Sequence, residues 1–211
     1  RSHAAHQESV LLLPTMWLGA SDHHLDFPGT VSVSNEDYAN IIRSLTASLV
    51  GAGFWKILFL NGHGGNVAPG EVAITQMADD SQECNEAYIV LASYWTVAEE
   101  SLADSKHGMT QPSLSHACEY ETSMMLYLHQ HLVEMGRAVG TSESAPATPP
   151  GVRVAGRFNM KSETGALGSP ELATSEKGES LMEAVVSDVS ALVEQMIEWP
   201  LRDVLGPIDP H

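Results

Sequence analysis

Positive charge is scarce in this chain. Its 211 residues carry 10 Lys and Arg against 27 Asp and Glu, a formal net charge of −17. With no basic stripe to displace counterions, the expected partners include neither nucleic acid nor an anionic membrane. Cysteine is scarcer still, with only Cys84 and Cys118. Two thiols make no disulfide framework, so a reducing, cytoplasmic setting is expected. No apolar run approaches the roughly 20 residues of a membrane span. The first residues show no secretory pattern. What remains is ordinary for a globular protein: 43% hydrophobic and 18% charged residues, in a length that suits one domain with a substantial core.

The chain is organised around Asn61-Gly62-His63-Gly64-Gly65-Asn66. Residues 55–60 read as a strand leading into it and residues 67–83 as a helix leaving it. A strand that ends at a polar, glycine-rich turn is where α/β proteins place their chemistry. The glycines allow close backbone approach to a ligand, and the asparagines can bond the turn or that ligand. A tight turn with an incidental His is the bland alternative. A phosphate loop is disfavoured, because its lysine and hydroxyl residue are missing.

Upstream, residues 10–13 form a short apolar run that fits a buried strand. Residues 15–30 make a long loop of the kind that is usually functional. Ser34 with Asp37 caps a helix whose apolar face is Tyr38, Ile41, Ile42, Leu45 and Leu49, with Gly51 and Gly53 at its end. Downstream, residues 87–91 read as a strand, 96–106 as a short helix and 116–131 as a helix with Met124, Met125, Leu128 and Leu132 inward. Residues 140–150 read as exposed loop and 152–158 as a strand. A last helix is expected over 169–197, with Leu181, Val185, Val189, Leu192, Val193 and Met196 along one side and Pro200 as its stop. Strands alternating with helices predict a mainly parallel sheet covered on both faces.

Two further stretches can carry chemistry. In residues 116–123, helical spacing puts His116 and Glu119 on one face, and Glu121 beside apolar neighbours. A carboxylate there needs a metal, a helix N-terminus or exposure. Cys118 reads as core packing rather than a nucleophile. His23, His24 and Asp26 form the other group, either metal ligands or the lining of a pocket. No serine sits in a nucleophile elbow.

These stretches together resemble the creatininase, or creatinine amidohydrolase, family. His24 with Phe27-Pro28-Gly29-Thr30 looks like its substrate-side loop, residues 61–66 like its metal-binding turn, residues 116–123 like its His-Ala-Gly-x-x-Glu-Thr-Ser segment, and residues 170–178 like the opening of its last helix. The resemblance implies a single domain with a three-layer α/β/α fold and hydrolysis of non-peptide C–N bonds, cyclic amides or formamides among them. It also implies a pair of divalent ions (Zn, Mn or Fe) and a homohexamer. His63 and Glu121 would be metal ligands, and His116 and Glu121 catalytic, with His116 protonating the leaving nitrogen. Trp17, His24, Asn61, Gly64, Gly65 and Asn66 would bind a small-molecule substrate. The family's Glu-x-His-Gly-x-His-x-Pro segment is not in this sequence, so the domain reads as lacking the N-terminal metal-binding strand. Cys118 stands where the family has Gly, and Gly64-Gly65-Asn66 stands where creatininase itself has Tyr-Glu-Asn. A non-catalytic assembly protein of the same fold is the competing expectation.

Overall fold

The computed structural model describes residues 10–80, 82–141 and 154–201, with Pro149 and Val152. The Ser34 hydroxyl accepts the Asp37 N–H at 3.1 Å, satisfying one of the free donors at a helix start, and α1 runs Asn35–Gly51. Gly53, at φ +89°, turns the chain into β1, Lys56–Asn61. A 3-10 turn, Gly64–Asn66, then opens α2, Val67–Asp80. A short α3, Gln82–Glu86, leads to β2, Tyr88–Ser93. The strands are parallel, from Lys56 opposite Tyr88 to Asn61 opposite Ser93, and α2 and α3 provide the crossover that parallel pairing requires. Short helices α4, Tyr94–Val97, and α5, Glu99–Leu102, follow. Then come α6, Glu119–His129, and a long α7, Ser175–Glu198.

Burial explains the layering. Tyr38, Ile42, Ala73 and Met77 join α1 and α2 to Phe59 and Ile89 of the strands. A separate cluster around Leu102, Cys118, Met124, Leu181 and Val185 joins α5, α6 and α7. At its far end α7 is tied to the sheet, where Lys56 Nζ donates to the Ile197 carbonyl at 2.6 Å and Trp199 lies 5.0 Å from Tyr88. Gly178 lets α6 and α7 close up, since a Cβ there would run into the Ser123 carbonyl. The expected α/β layering, with its parallel pair of strands, is the observed architecture.

Several local expectations fail. Residues 10–13 form no strand. Leu11, Leu12 and Leu13 are 64%, 67% and 46% exposed and line an open groove of about 620 Å³ along β1. Apolar content alone does not make a strand without a ladder to join, and among the described residues β1 pairs only with β2. The described part of 152–158 forms no strand either, and Phe158–Met160 is a 3-10 turn. Most of the expected loop over 140–150 lies outside the described residues. Helix α1 buries Tyr38, Ala39, Ile42, Thr46 and Val50, with Leu45 turned toward the groove. Pro170–Leu172 is a separate turn, and Thr174 caps α7 by accepting the Lys177 N–H. Helix α6 begins three residues later than its pattern suggests. Its buried side is Glu119, Tyr120, Ser123, Met124 and Leu126, while Met125, Leu128 and Leu132 face outward.

Candidate active site

The carboxyl end of β1 is built by two asparagines. Buried Asn61 donates from Nδ2 to Ser93 Oγ at 3.0 Å, tying the ends of the two strands together. Its Oδ1 accepts the His63 N–H at 3.0 Å and Asn66 Nδ2 at 3.3 Å. Asn66 Oδ1 in turn accepts the Ala20 N–H at 2.9 Å. Both residues were expected to meet substrate. Their hydrogen bonds hold His63 in place and fasten the loop over 15–30 to the turn. A Cβ on Gly64 would meet nothing within 4 Å, so that side of the turn is open. A Cβ on Gly65 would strike the Ala20 carbonyl and approach both His63 Nε2 and His23 Cε1. Trp17 is 79% exposed, on the wall of the groove that runs up to His63.

Four imidazoles converge beyond this turn. His63 Nε2 lies 2.9 Å from Ser21 Oγ. His23 faces His63 with ring centroids 5.7 Å apart and planes 8° from parallel. His24 is 4.1 Å from His23, 6.0 Å from His63 and 4.5 Å from His116. The 3-10 turn Asp22–His24 places His23 and His24, and the segment before α6 places His116. Burial lowers the pKa of all four, because a charged imidazole loses hydration there. At His23, His24 and His116 neighbouring imidazoles add to the effect, and His24 and His116 fall to about 4. All four rings are therefore neutral near pH 7, each with one unprotonated nitrogen.

The carboxylates are arranged differently from the helical expectation. His116 lies ahead of α6, and Ala117, at φ 45°, swings the chain between them, so His116 and Glu119 share no helical face. Cys118, in place of the family's glycine, has an ordinary φ of −89° and is fully buried. Glu121 accepts the Ala117 N–H at 2.5 Å, the helix-start solution to its burial, while burial raises its pKa. That hydrogen bond turns Glu121 to its own helix start, and the ring contacts linking His63 to this region run through His24 and His116. Glu119 is completely buried, held by Lys177 Nζ at 2.5 Å and the N–H groups of Thr110 and Gln111 at 2.9 and 2.7 Å. Burial alone would raise its pKa, but Lys177 and those donors hold it below the usual carboxylate value.

Sequence reasoning missed three residues of this region. Ser21 is an unremarked serine in a loop. Glu119 was read only as sharing a helical face with His116. Phe158 lay in a presumed strand, yet its ring sits 4.4 Å from His24 and 4.5 Å from His116. The only signal for Glu119 was Lys177, a lone cation opening a helix that packs along α6. Among the described residues, no three His, Cys, Asp or Glu side chains are placed to hold a metal ion together. Imidazole and carboxylate donors together suit Zn, Mn or Fe, so the chain presents part of a donor set.

Neutral imidazoles gathered at the carboxyl end of a parallel strand, in a layered α/β fold, form a candidate site suited to proton transfer. The profile of the Creatininase family, described as creatinine amidohydrolase, matches residues 1–193, and the chain belongs to this family. The mycofactocin precursor peptide peptidase of Mycobacterium tuberculosis (strain CDC 1551 / Oshkosh) is 28% identical over 197 residues, 92% of this chain and 69% of that protein. Creatinine amidohydrolase of Pseudomonas putida is 25% identical over 190 residues, 86% of this chain and 69% of the relative. The 3-dehydro-scyllo-inosose hydrolase of Thermotoga maritima (strain ATCC 43589 / DSM 3109 / JCM 10099 / NBRC 100826 / MSB8) is 27% identical over 202 residues, 87% and 64% of the respective chains. The fold matches a solved creatininase at a TM-score of 0.72, with 22% identity over 94% of this chain and 80% of the other. Related solved creatininases include a Zn-Zn type (TM-score 0.72, 21% identity, 93% and 79% covered) and a Mn form (0.71, 22%, 93% and 79%). Among the described residues no helix is long and apolar enough to cross a membrane.

Proposed function

We propose that this creatininase-family hydrolase cleaves an amide C–N bond in a small, uncharged group. The observation that supports the reading is the convergence of His24, His63 and His116 at the end of β1. His116, neutral near pH 7, is suited to take a proton from an attacking water and then hand it to the departing nitrogen. The expected protonation of the leaving nitrogen is kept, but the proton is first collected from the water, because a ring held at about 4 does not stand protonated at neutral pH. His24 lines the approach to that ring, and Ser21 fixes the orientation of His63 through Nε2. His63 and Glu121 are the proposed donors in this chain to a divalent ion, Zn, Mn or Fe. When bound, such an ion supplies a water of lowered pKa and polarises a carbonyl. The creatininase structures named for Zn and Mn support that choice. One relative is named for a peptide, which widens the expected non-peptide bond to include a short peptide. A homo-oligomer is part of the same proposal, and light scattering well above 22.7 kDa is its expected readout.

The test is turnover of creatinine, a formamide and a short peptide by protein supplied with Mn or Zn. Turnover of any one, reduced at least about 100-fold in His116→Asn, supports the reading. Absence of turnover with either metal, from folded protein, replaces it with the assembly role.

A further inference from the structure

Phe158 takes no part in the hydrogen-bonded frame of the site, yet its ring lies directly on it. The centroid separations to His24 and His116, 4.4 and 4.5 Å, are ring-contact distances that leave no space for a ligand atom between. The ring is carried by the turn Phe158–Met160 in an exposed stretch, where Val154 and Met160 are each 69% exposed. Between described residues, an ion pair fastens that stretch across the site. Arg157 donates to Asp26 at 2.7 Å, bridging 131 positions to the loop that carries His23 and His24. An exposed pair of this kind contributes roughly 0–1 kcal/mol. The base of the stretch is firmer, since buried Ser162 donates to the Ala166 carbonyl at 2.6 Å and accepts the Gly165 N–H at 3.1 Å. A large apolar ring is therefore set on two imidazoles by a weakly latched turn above a fixed base.

We infer that Phe158 is the movable cover of this site, that it controls access to His24 and His116, and that the Arg157–Asp26 pair is its latch. A group reaching those imidazoles from this side displaces the ring and then lies against it. That group lies against a phenyl face and two flat imidazoles, a geometry that takes a planar group, an amide or a heterocycle, in preference to a bulky aliphatic one. The substrate part of the inference rests on the proposed hydrolase reading, whereas the cover does not.

The probe is diethylpyrocarbonate, which acylates unprotonated imidazole nitrogen, applied to metal-free protein with each modified His located by peptide mass. In Phe158→Ala, His24 and His116 should react several-fold faster than in the wild type. In Arg157→Gln the increase should be smaller, and Phe158→Leu, which keeps an apolar side chain, should stay near the wild-type rate. His107 is the internal control, buried and bonded to Ser180 and Ser101, and its rate should not change. Wild-type rates at His24 and His116 in folded Phe158→Ala overturn the cover. Should Phe158→Ala not fold, Arg157→Gln decides in the same way. On any substrate the wild type hydrolyses, Phe158→Ala should alter KM for flat substrates more than for bulky aliphatic ones, and equal changes for both overturn the assigned substrate class. A chain with no turnover at all fails the proposed function and leaves the modification rates to judge the cover.

Discussion

The ring of His63 is folded back over Gly65, so that a Cβ on Gly65 would lie 2.6 Å from His63 Nε2 and 2.7 Å from His23 Cε1. The backbone at Gly65 thus occupies the floor beneath two site imidazoles, with the Ala20 carbonyl on a third side. Neither a carbonyl nor two packed rings can yield cheaply. Gly65→Ala should cost roughly 1–3 kcal/mol, the usual penalty of overpacking, as read by urea unfolding. Gly64→Ala meets nothing within 4 Å and should be close to neutral. Equal costs at the two neighbouring glycines would show that the floor is not tight.

The imidazoles make stability depend on pH. In metal-free protein His24 and His116 titrate at about 4, below their ordinary value of 6.5. Above about pH 6.5 both states hold them neutral, and neither ring contributes a slope. As pH falls from there toward 4, the unfolded chain takes up protons that the folded chain refuses, so stability declines over that window. Unfolding of the wild type at pH 7 and pH 5 should show the decline. The double variant His24→Asn, His116→Asn should show a shallower one. Identical slopes would mean that the rings are not held neutral by the fold.

The frame of this fold was legible because its signals are local. Ser34 with Asp37 marks a helix start, and the apolar run before Asn61 marks a strand. The convergence of His24, His63 and His116 followed only from the family resemblance, since these residues come from three distant segments. What was not legible depended on partners in space. Leu11, Leu12 and Leu13 have strand composition but no ladder. The apolar pattern of α6 placed Met125 and Leu128 inward. Burial of Glu119 against Lys177 sets a different face, which no periodicity of apolar residues encodes. Phe158 is a lone aromatic in a polar stretch, and only the tertiary fold sets it on His24.

Glu119 and Lys177 provide a stability test of that buried face. The carboxylate is fully enclosed, and it also receives the amides of Thr110 and Gln111 in the loop before His116. Removing one partner of a buried pair leaves the other charge uncompensated. Glu119→Ala should therefore lose roughly 3–5 kcal/mol in urea unfolding at pH 7. A loss under about 1 kcal/mol would place this pair with ordinary surface ion pairs. Because the folded carboxylate titrates below its unfolded value, this stabilisation should disappear as pH falls through the folded pKa.

The last prediction separates the metal ligand from the thiol. His63 is held by its backbone to Asn61 and by Nε2 to Ser21, at the strand end where ligands collect in open α/β folds. Glu121 sits in the first turn of α6 with its carboxylate on the Ala117 N–H. These are the proposed donors, and they are too few to close a tetrahedral site. This chain should therefore bind Zn weakly in equilibrium dialysis, and His63→Ala should remove what binding there is. Cys118 is a different kind of residue. Its sulfur is buried in the cluster with Leu181 and Val185, and it accepts the Ser115 N–H at 3.3 Å. Cys118→Ala should leave Zn content and any hydrolysis nearly unchanged, with only a modest loss of stability from the small void. Full Zn content and full activity in His63→Ala would move the site elsewhere. Loss of both in folded Cys118→Ala would make the thiol a ligand or nucleophile, against its burial in the core.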